Sequence, residues 1–204
     1  MSMKRIVVVG AGGHGKVVAD AVRAGDAFEV AAFADELATQ RDGDLFLGAR
    51  IIAGDGALAR ARELGIGYAI AAFADCKARL GCCERLLAHG FEIVTVVHPR
   101  AIVAGDVTIG AGTFLAAGAI VGTATVLGES AIINTGAIVD HDCVLEDAVH
   151  VEQGACLGAR VRVGRVTTIG IGATVTKDRR IGAHAWIAPA TLLTCDVEDG
   201  AMIS

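Results

Sequence analysis

A histidine with an acidic residue on each side occupies the middle of the second half of the chain, at Asp140, His141 and Asp142. A carboxylate beside an imidazole orients the ring and stabilises its protonated form, so this arrangement suits a general base in a group transfer. The same residue types bind metal ions, but their spacing implies no third ligand and we expect no metal. A second histidine, His150, follows nine residues later. Either histidine is also compatible with an ordinary surface position.

A glycine-rich loop is the other chemical motif, because the aliphatic run ending at Val9 is followed by Gly10–Gly15, which reads GAGGHG. Glycines between a strand and a helix let a diphosphate approach the backbone, and the helix N-terminus offers it free N–H groups. Asp35 lies about twenty residues further on, as in dinucleotide-binding folds. Only about 95 residues precede the repeats described next, so we expect a half-site for one nucleotide diphosphate. A turn that merely packs helix on strand is the alternative, with His14 either donating to a phosphate or solvated.

An aliphatic residue occupies every sixth position from Val103 to Leu193, which makes sixteen positions in one unbroken frame. Neither an α-helix nor a simple strand repeats at six, whereas hexapeptide periodicity is typical of a β-helix built from stacked coils. We expect the aliphatic side chain to point into the core and a small residue two positions earlier to fit the corner. A glycine often follows the aliphatic, as at Gly110 and Gly122. We expect it to supply backbone freedom at the turn.

That glycine is missing from four consecutive repeats, where Asn134, Asp140, Glu146 and Glu152 replace it before Gly158 restores the pattern. A solenoid needs no such polar cluster to fold, and local departures of this kind often mark a working site. Further along, residues 155–190 carry six Lys and Arg against one Asp. This basic stretch fits the phosphates of a coenzyme or a solvated face equally well.

Two segments with different patterns divide the chain. Strand-like and helix-like runs alternate up to residue 97, which predicts a Rossmann-like α/β domain with a small parallel sheet over residues 1–97. Within it we predict a loop over 38–47 and a last strand over 93–97. The hexapeptide repeats predict a left-handed parallel β-helix over residues 98–204. A hydrophobic content of 53 % with only 4 % aromatic residues suits such a solenoid of small aliphatic residues.

Composition narrows the classes of function. A net charge of −5 argues against nucleic acid as the main partner. The six cysteines form no CxxC pair, so we expect neither structural zinc nor a disulfide framework. The N-terminus shows no secretory signal, and together these features predict a cytoplasmic protein. Residues 107–128 are uncharged and long enough to span a bilayer, but their hexad punctuation favours stacked turns over a membrane span.

The most specific stretch of the chain is 133–144, which reads INTGAIVDHDCV and is followed by His150. With its glycine-rich first half, the chain resembles the bacterial nucleotide-sugar N-acetyltransferases of the left-handed β-helix superfamily, whose relatives include sialic-acid O-acetyltransferases. The similarity covers nearly the whole chain. It implies acetyl transfer from acetyl-CoA to the 4-amino group of a UDP- or GDP-linked 4-amino-4,6-dideoxyhexose, for bacterial glycan biosynthesis. It also implies a homotrimer with active sites between subunits.

The resemblance assigns roles to single residues. It implies that His141 is the catalytic base and that Asp142 raises its basicity. The residues that it implies for the nucleotide sugar are Gly12, Gly13 and His14 at the diphosphate, Asp35 and Glu36 at the base or ribose, and Asn134 in the pocket. The residues that it implies for acetyl-CoA are His150, Ile171 and Ala188.

Three rival functions use parts of the same pattern. A sialic-acid-type O-acetyltransferase would use His141 to activate a hydroxyl and would need no nucleotide. A non-catalytic, nucleotide-sugar-binding trimeric scaffold would need the β-helix only for assembly, and a nicotinamide-dependent dehydrogenase would explain the glycine loop alone. In the preferred function the amine attacks the thioester directly, because neither Cys143 nor Cys156 has a predicted base partner for a covalent route.

Overall fold

The computed structural model describes residues 3–204 and divides into two compact units at Val96 and Val97, a two-residue strand that pairs with the sheets of the second unit. In the described residues no helix is long and apolar enough to cross a membrane.

The N-terminal unit is a six-stranded sheet with three α-helices. Its strands are β1 Lys4–Val9, β2 Phe28–Asp35, β3 Leu45–Phe46, β4 Ala49–Ala53, β5 Tyr68–Ala71 and β6 Glu92–Ile93. Its helices are α1 Gly13–Ala24, α2 Ala57–Glu63 and α3 Cys76–Ala88, with a 3₁₀ turn at Thr39–Arg41. The strand order is β3-β4-β2-β1-β5-β6, and every pair is parallel except β3 with β4.

Strand β1 lies at the centre of this sheet, and Ile6, Val7 and Val8 on it are completely buried. A parallel strand covered on both faces reads as such an aliphatic run. The chain continues to β2 on one side of β1 and later returns to β5 on the other side. This reversal of strand order opens a crevice at the carboxyl ends of β1 and β5, where ligands bind in open α/β sheets.

Two sequence expectations for this unit were wrong. The predicted loop over 38–47 contains the 3₁₀ turn and β3, which pairs with β4 around a two-residue turn at Leu47 and Gly48. Both turn residues have positive φ (50° and 78°), as type I′ turns require, but a leucine there is not the usual signal. The predicted strand over 93–97 is split, because β6 ends at Ile93 and Val96–Val97 belongs to the first sheet of the β-helix.

The C-terminal unit is a left-handed parallel β-helix whose two-residue strands form three sheets, named faces A, B and C. The strands of face A are Val96–Val97, Phe114–Leu115, Ile132–Ile133, His150–Val151, Thr168–Ile169, Trp186–Ile187 and Met202–Ile203. Those of face B are Ile102–Val103, Ile120–Val121, Ile138–Val139, Cys156–Leu157, Thr174–Val175 and Leu192–Leu193. Those of face C are Thr108–Ile109, Val126–Leu127, Val144–Leu145, Arg162–Val163 and Arg180–Ile181. Corner 1 follows face A, corner 2 follows face B and corner 3 follows face C.

One coil takes eighteen residues, since Ile132 pairs with His150 and His150 pairs with Thr168 on face A. Three hexads therefore make one turn of the prism. The aliphatic positions, such as Leu145 and Val163, fill one continuous core inside it. The sequence prediction of an α/β unit followed by a hexapeptide β-helix is confirmed.

The glycines that follow the aliphatic residues have a different role from the expected one. Positive φ occurs two residues later in the corner, for example at Ala124 (57°) after Gly122 and at Arg160 (60°) after Gly158. A Cβ added at Gly122 would lie 2.7 Å from the backbone nitrogen of His141 in the next coil. At Gly158 it would lie 2.8 Å from the nitrogen of Lys177. These glycines leave room for the corner of the neighbouring coil, and the expectation of backbone freedom was wrong.

Candidate active site

His141 and Asp142 project from corner 2. The distance between His141 Nδ1 and Asp142 Oδ2 is 2.6 Å, and both side chains are about half exposed (43 % and 52 %). Because a carboxylate only accepts, it selects the tautomer that carries its proton on Nδ1. Nε2 is then the basic nitrogen, in a position open to solvent. The pair predicted from adjacent residues therefore has the geometry of a general base with its orienting acid.

Backbone contacts hold this corner in place. The His141 N–H donates to Asp140 Oδ1 (2.8 Å), and the His141 carbonyl accepts from the N–H of Arg160 one coil later (3.0 Å). Gly122 lies directly against the corner from the preceding coil, as described above. The position of the base is thus set by the stacking of three coils.

Asn134 and His150 form a second polar pair, at corner 1 and on face A. Both are buried, and Asn134 Nδ2 lies 3.1 Å from His150 Nε2. Asn134 Oδ1 accepts from the Thr135 N–H (2.8 Å), which can only donate, so the amide NH₂ must face the histidine. His150 Nε2 therefore accepts, and the ring is neutral with its proton on Nδ1.

The residues implied for acetyl-CoA lie along corner 1 below this pair. Asn134, Glu152 and Ala188 occupy the same corner position in different coils, and Ile171 lies in the coil between the last two. The Ile171 N–H donates to Glu152 Oε2 (3.0 Å), and the Ala188 N–H donates to the Ile203 carbonyl (2.8 Å). A ligand can reach the Ile171 amide only after the Glu152 carboxylate turns away.

The structure therefore separates the predicted residues of the β-helix into two groups. His141 and Asp142 lie at corner 2, whereas Asn134 lies at corner 1, and face B runs between these two corners. His150 lies on face A with the corner 1 group. Within one chain the base and the buried asparagine–histidine pair do not converge.

The acidic residues that interrupt the glycine pattern are partly structural. Glu146 Oε2 accepts from the Arg165 N–H (3.0 Å), in the same way as Glu152 accepts from Ile171. Each carboxylate thus binds a corner amide of the following coil. The interpretation that these departures mark a working site therefore stays a prediction at Glu146 and Glu152, whose carboxylates bind backbone amides.

Ion pairs neutralise some of the cations in the basic stretch over residues 155–190 and leave others without a carboxylate partner. Arg160 binds Asp178 through two nitrogens (2.6 and 3.0 Å), and Arg179 lies 3.5 Å from Asp196. Arg162 and Arg180 are neighbours in register on face C. In the described residues 3–204 no carboxylate pairs with the side chains of Arg162 and Arg180. Arg162 and Arg180 thus place two neighbouring positive charges on face C, in a pocket that Glu146 and Asp199 also line.

A cavity of about 800 Å³ lies at the carboxyl ends of the strands in the N-terminal unit. Its wall includes Gly10, Gly12, Gly13 and His14 after β1, and Ala72–Ala74 after β5. A Cβ added at Gly12 or Gly13 would meet no atom within 4 Å, so both glycines face open space. The predicted diphosphate loop therefore lines a pocket rather than serving only to pack a helix.

Two acidic residues at this cavity have different surroundings. Both oxygens of Asp35 are bound to backbone, since Oδ2 accepts from the Ala11 N–H (2.9 Å) and Oδ1 from the N–H groups of Leu37 and Ala38. Asp35 thus braces the glycine loop. Glu36 Oε2 instead lies 3.2 Å from Arg85 Nη2 at the cavity wall. Of these two carboxylates, only Glu36 is paired with a side chain, that of Arg85, which a ligand could displace.

His14 is neutral at pH 7. Burial, together with the charge of Arg79, lowers the pKa of its ring from 6.5 to about 4. A neutral imidazole has one N–H, which can donate to a phosphate oxygen without adding charge.

Sequence analysis missed the contribution of helix α3 to this cavity. Ala78, Cys82 and Arg85 line it and follow one another at helical spacing. Their helical spacing was the only sequence signal that these residues share one face of α3. Residues that pack in the core of a domain show the same spacing, so the signal alone does not indicate a cavity. Burial raises the pKa of the Cys82 thiol to about 11, so it is not a nucleophile at neutral pH. Among residues 3–204 no three His, Cys, Asp or Glu side chains are arranged to hold a metal ion.

Comparisons with known proteins agree with this geometry. Residues 5–86 match the family described as the PglD N-terminal domain. A mutant of GDP-perosamine N-acetyltransferase from Caulobacter crescentus, solved with CoA and GDP-perosamine, is 33 % identical and has a TM-score of 0.91. That match covers 98 % of this chain and 93 % of the other. No curated protein sequence gives a significant match.

Two further structures extend the likeness. The acetyltransferase domain of PglB from Neisseria gonorrhoeae, in complex with acetyl coenzyme A, is 30 % identical with a TM-score of 0.89, covering 98 % of this chain and 96 % of that one. WeeI from Acinetobacter baumannii is 22 % identical with a TM-score of 0.83, covering 100 % and 97 %, and shows a shared fold.

Proposed function

Since this chain belongs to the hexapeptide-repeat nucleotide-sugar acetyltransferases, we propose that it acetylates the 4-amino group of a UDP- or GDP-linked 4-amino-4,6-dideoxyhexose. The general activity of the family is acetyl transfer from acetyl-CoA to a nucleotide-linked amino sugar, and this chain has it. The observation that supports the finer proposal is the His141–Asp142 pair, a solvent-open base in a chain that also carries a glycine-lined nucleotide cavity.

His141 acts on the sugar amine. The nitrogen can attack the thioester carbonyl only with its lone pair free, and it must lose a proton as the new C–N bond forms. Nε2 of His141 takes that proton, and the adjacent carboxylate stabilises the imidazolium. The sulfur of coenzyme A leaves as the C–S bond breaks. Transfer is direct, since burial raises the pKa of the Cys143 thiol to about 11 and makes it a poor nucleophile.

The cavity of the N-terminal unit binds the nucleotide. Its open glycines at positions 12 and 13 receive the diphosphate, with His14 as a neutral donor. Glu36 and Arg85 contact the base or ribose, whereas Asp35 contributes through the loop that it braces. This refines the expectation that Asp35 and Glu36 read the nucleotide together.

Acetyl-CoA lies along corner 1, with His150 and Asn134 near its acetyl end and Ile171 and Ala188 beside the rest. Arg162 and Arg180 lie on face C, which adjoins corner 2, so they carry charge suited to the phosphates of an acetyl-CoA held at corner 1 of the neighbouring prism in the trimer proposed below. Replacing both with Gln should raise KM for acetyl-CoA several-fold and leave kcat unchanged, whereas an unaltered KM would assign face C to solvent.

The two groups of site residues meet in a homotrimer, in which corner 2 of one prism faces corner 1 of the next. An exposed apolar column on face B supports assembly, because Ile102, Ile120 and Ile138 lie in register and are 64 %, 36 % and 38 % exposed. Aligned apolar side chains of this kind are typical of interfaces. The six free cysteines suit a reducing compartment such as the cytoplasm.

The deciding experiment measures thiol release from acetyl-CoA with a panel of UDP- and GDP-linked 4-amino sugars, for the wild type and His141→Ala. We expect the wild type to acetylate one of these nucleotide-linked 4-amino sugars. The rate of thiol release should be about 10²–10⁴-fold lower for His141→Ala. His184→Ala, which removes an imidazole at corner 3, is the matched control. Turnover with free sialic acid alone would replace the proposal with O-acetyl transfer, and binding of nucleotide sugar without turnover would favour a scaffold.

A further inference from the structure

An arginine lies between two aspartates at corner 2, next to the proposed base. Asp142, Arg160 and Asp178 follow one another at intervals of eighteen residues, which is one coil. All three have a left-handed backbone, with φ of 58°, 60° and 61°, so they occupy equivalent places in successive coils. Neighbouring strands of a sheet are about 4.8 Å apart. The arginine therefore has one carboxylate in the preceding coil and another in the following coil, both within reach of its long side chain.

The arginine is paired with the following coil. Arg160 Nε donates to Asp178 Oδ1 (2.6 Å) and Arg160 Nη2 donates to Asp178 Oδ2 (3.0 Å), so the pair uses two nitrogens and both carboxylate oxygens. Among the described residues 3–204, the carboxylate that accepts from this guanidinium is that of Asp178 and not that of Asp142. Asp142 Oδ2 instead accepts from His141 Nδ1 (2.6 Å). Each carboxylate thus has its own partner.

The same guanidinium is close enough to compete for Asp142. The side chains of Asp142, Arg160 and Asp178 line one open groove of about 650 Å³. The hydrogen bonds from Asp178 raise the pKa of the Arg160 guanidinium, and the charges of Asp142 and Asp140 raise it further. A fork of two nitrogens on Asp142, like the present one on Asp178, would occupy Asp142 Oδ2, the oxygen that His141 Nδ1 needs. The partner that Arg160 binds therefore decides whether the base keeps its orienting acid.

Asp178 is the carboxylate of this groove that holds Arg160 away from the base. The third carboxylate there is Asp196, which lies 3.5 Å from Arg179 and accepts from the Arg180 N–H (3.0 Å). The side chains of Arg160 and Asp178 are about half exposed, at 48 % and 43 %. Ion pairs this open to solvent contribute little to stability, so we expect the fold to tolerate the loss of this one.

We propose that Asp178 is a positioning residue for the base. By binding Arg160 in the preceding coil, it leaves the Asp142 carboxylate to orient His141 and to stabilise the imidazolium. Without Asp178 the guanidinium turns to Asp142 on its other side, and an ion pair neutralises the charge that supports the base. The inference rests on the proposed function, because it takes His141 to be that base.

The test combines single and double variants of the full-length chain. Asp178→Asn removes the charge that holds Arg160, and asparagine tolerates the positive φ of that position. Arg160→Gln removes the competing guanidinium, and the double variant removes both charges. Asp196→Asn is the matched control, since it breaks the neighbouring ion pair with Arg179 and leaves Asp178 intact.

Three measurements are made on each variant. Initial rates of thiol release give kcat and both KM values, and melting temperatures report whether the chain is folded. Nitrogen NMR of the neutral imidazole distinguishes a proton on His141 Nδ1 from one on Nε2, and this measurement needs no substrate.

We expect Asp178→Asn to lower kcat about tenfold with both KM values within about twofold, because the base loses its support and substrate binding does not. In the same variant the neutral His141 ring should shift towards the tautomer protonated on Nε2. Arg160→Gln, the double variant and Asp196→Asn should keep kcat within about threefold of the wild type and the proton on Nδ1. A pair that only stabilised the corner would not be rescued by removing its second member.

Full kcat and an unchanged tautomer in Asp178→Asn would overturn the inference and leave the proposed function intact. A double variant as slow as Asp178→Asn would overturn it too, since the loss would then not come from Arg160. If the wild type acetylates no nucleotide-linked amine, the proposed function fails. The tautomer of His141 across the variants then still decides whether Asp178 keeps the Asp142 carboxylate on the ring.

Discussion

At the scale of single residues, three histidines differ in chemistry because of what surrounds each ring. His141 is half exposed and has a carboxylate at Nδ1, so under the proposed function its Nε2 acts as the base. His150 is buried and accepts from Asn134, so it is a neutral group of fixed orientation. His14 is buried near a guanidinium and stays neutral. The same side chain thus has three different surroundings in one chain, and the proposed function gives each of them a different role.

The contribution of Asp142 to the base can be separated from that of its neighbour. In Asp142→Asn the side chain keeps its size, but it loses the charge that stabilises the imidazolium and no longer enforces one tautomer. We expect kcat to fall about 10²-fold with both KM values nearly unchanged, measured by thiol release. The control is Asp140→Asn, because Asp140 only accepts from the His141 N–H and an amide oxygen can replace it. Equal losses in both variants would show that the corner, not the carboxylate, matters.

His14 makes the stability of the protein depend on pH. Its pKa is lowered in the folded state to about 4, so between pH 6.5 and 4 the unfolded chain binds the extra proton and the folded chain does not. The free energy of unfolding therefore decreases as pH falls through this window, by up to about 3 kcal/mol at roughly 1.4 kcal/mol per unit. Denaturant titrations at pH 7 and 4.5 should show this loss in the wild type and much less of it in His14→Gln. His89→Gln, at an exposed histidine of the same unit, should behave like the wild type.

At the scale of elements, the position of the base depends on a glycine in another coil. Gly122 leaves the space that the His141 corner occupies, and an alanine Cβ there would lie 2.7 Å from the His141 nitrogen and 2.9 Å from the Asp140 carbonyl carbon. We expect Gly122→Ala to destabilise the fold by about 1–3 kcal/mol and to lower kcat at least about tenfold, because the corner must shift.

Gly158→Ala is the matched control for that variant. Gly158 occupies the same corner position but presses on Lys177, so its substitution should cost similar stability and leave kcat within about twofold. Melting temperature and initial rates measure the two effects. If both variants lose activity in proportion to stability, the glycine at 122 has no special relation to the base.

Much of the fold was predictable because the hexad is a direct consequence of the coil. Three faces of six residues make one turn, so the period appears in the sequence wherever the prism continues. The hairpin of β3 and β4 was not predictable from the sequence, because Leu47 adopts a positive φ and leucine is not a residue that usually indicates such a turn. The role of the glycines that follow the aliphatic residues was not predictable either, because it depends on contact with the neighbouring coil and not on the local backbone.

The candidate site also contains residues that the sequence could predict and residues that it could not. His141 and Asp142 are adjacent in sequence, so their pairing could be predicted from type and spacing alone. Arg85 was missed, because only the placement of α3 against the end of β5 brings it to the cavity of the N-terminal unit. Asp35 was found but its environment was not, since the backbone amides that bind it come from two separate loops.

At the scale of the whole molecule, one chain does not hold a complete active site under the proposed function. The base lies at corner 2, and the buried pair of Asn134 and His150 lies on the other side of face B. A closed ring of three prisms brings corner 2 of one copy to corner 1 of the next, through a head-to-tail contact repeated three times. Each site would then take its base from one subunit and its buried histidine from a neighbour.

Subunit mixing tests this arrangement directly. His141→Ala and His150→Ala chains are each expected to be nearly inactive, yet a co-expressed one-to-one mixture should regain up to about a quarter of wild-type activity, since that share of interfaces pairs two intact residues. Mixing His141→Ala with Asp142→Ala supplies no intact interface, because both residues come from the same corner, and activity should stay at the level of the separate variants. Initial rates and the mass of the assembly by light scattering report both points. Absence of recovery in a mixed trimer would mean that His141 and His150 act from the same chain, and that the base reaches its substrate without a neighbour.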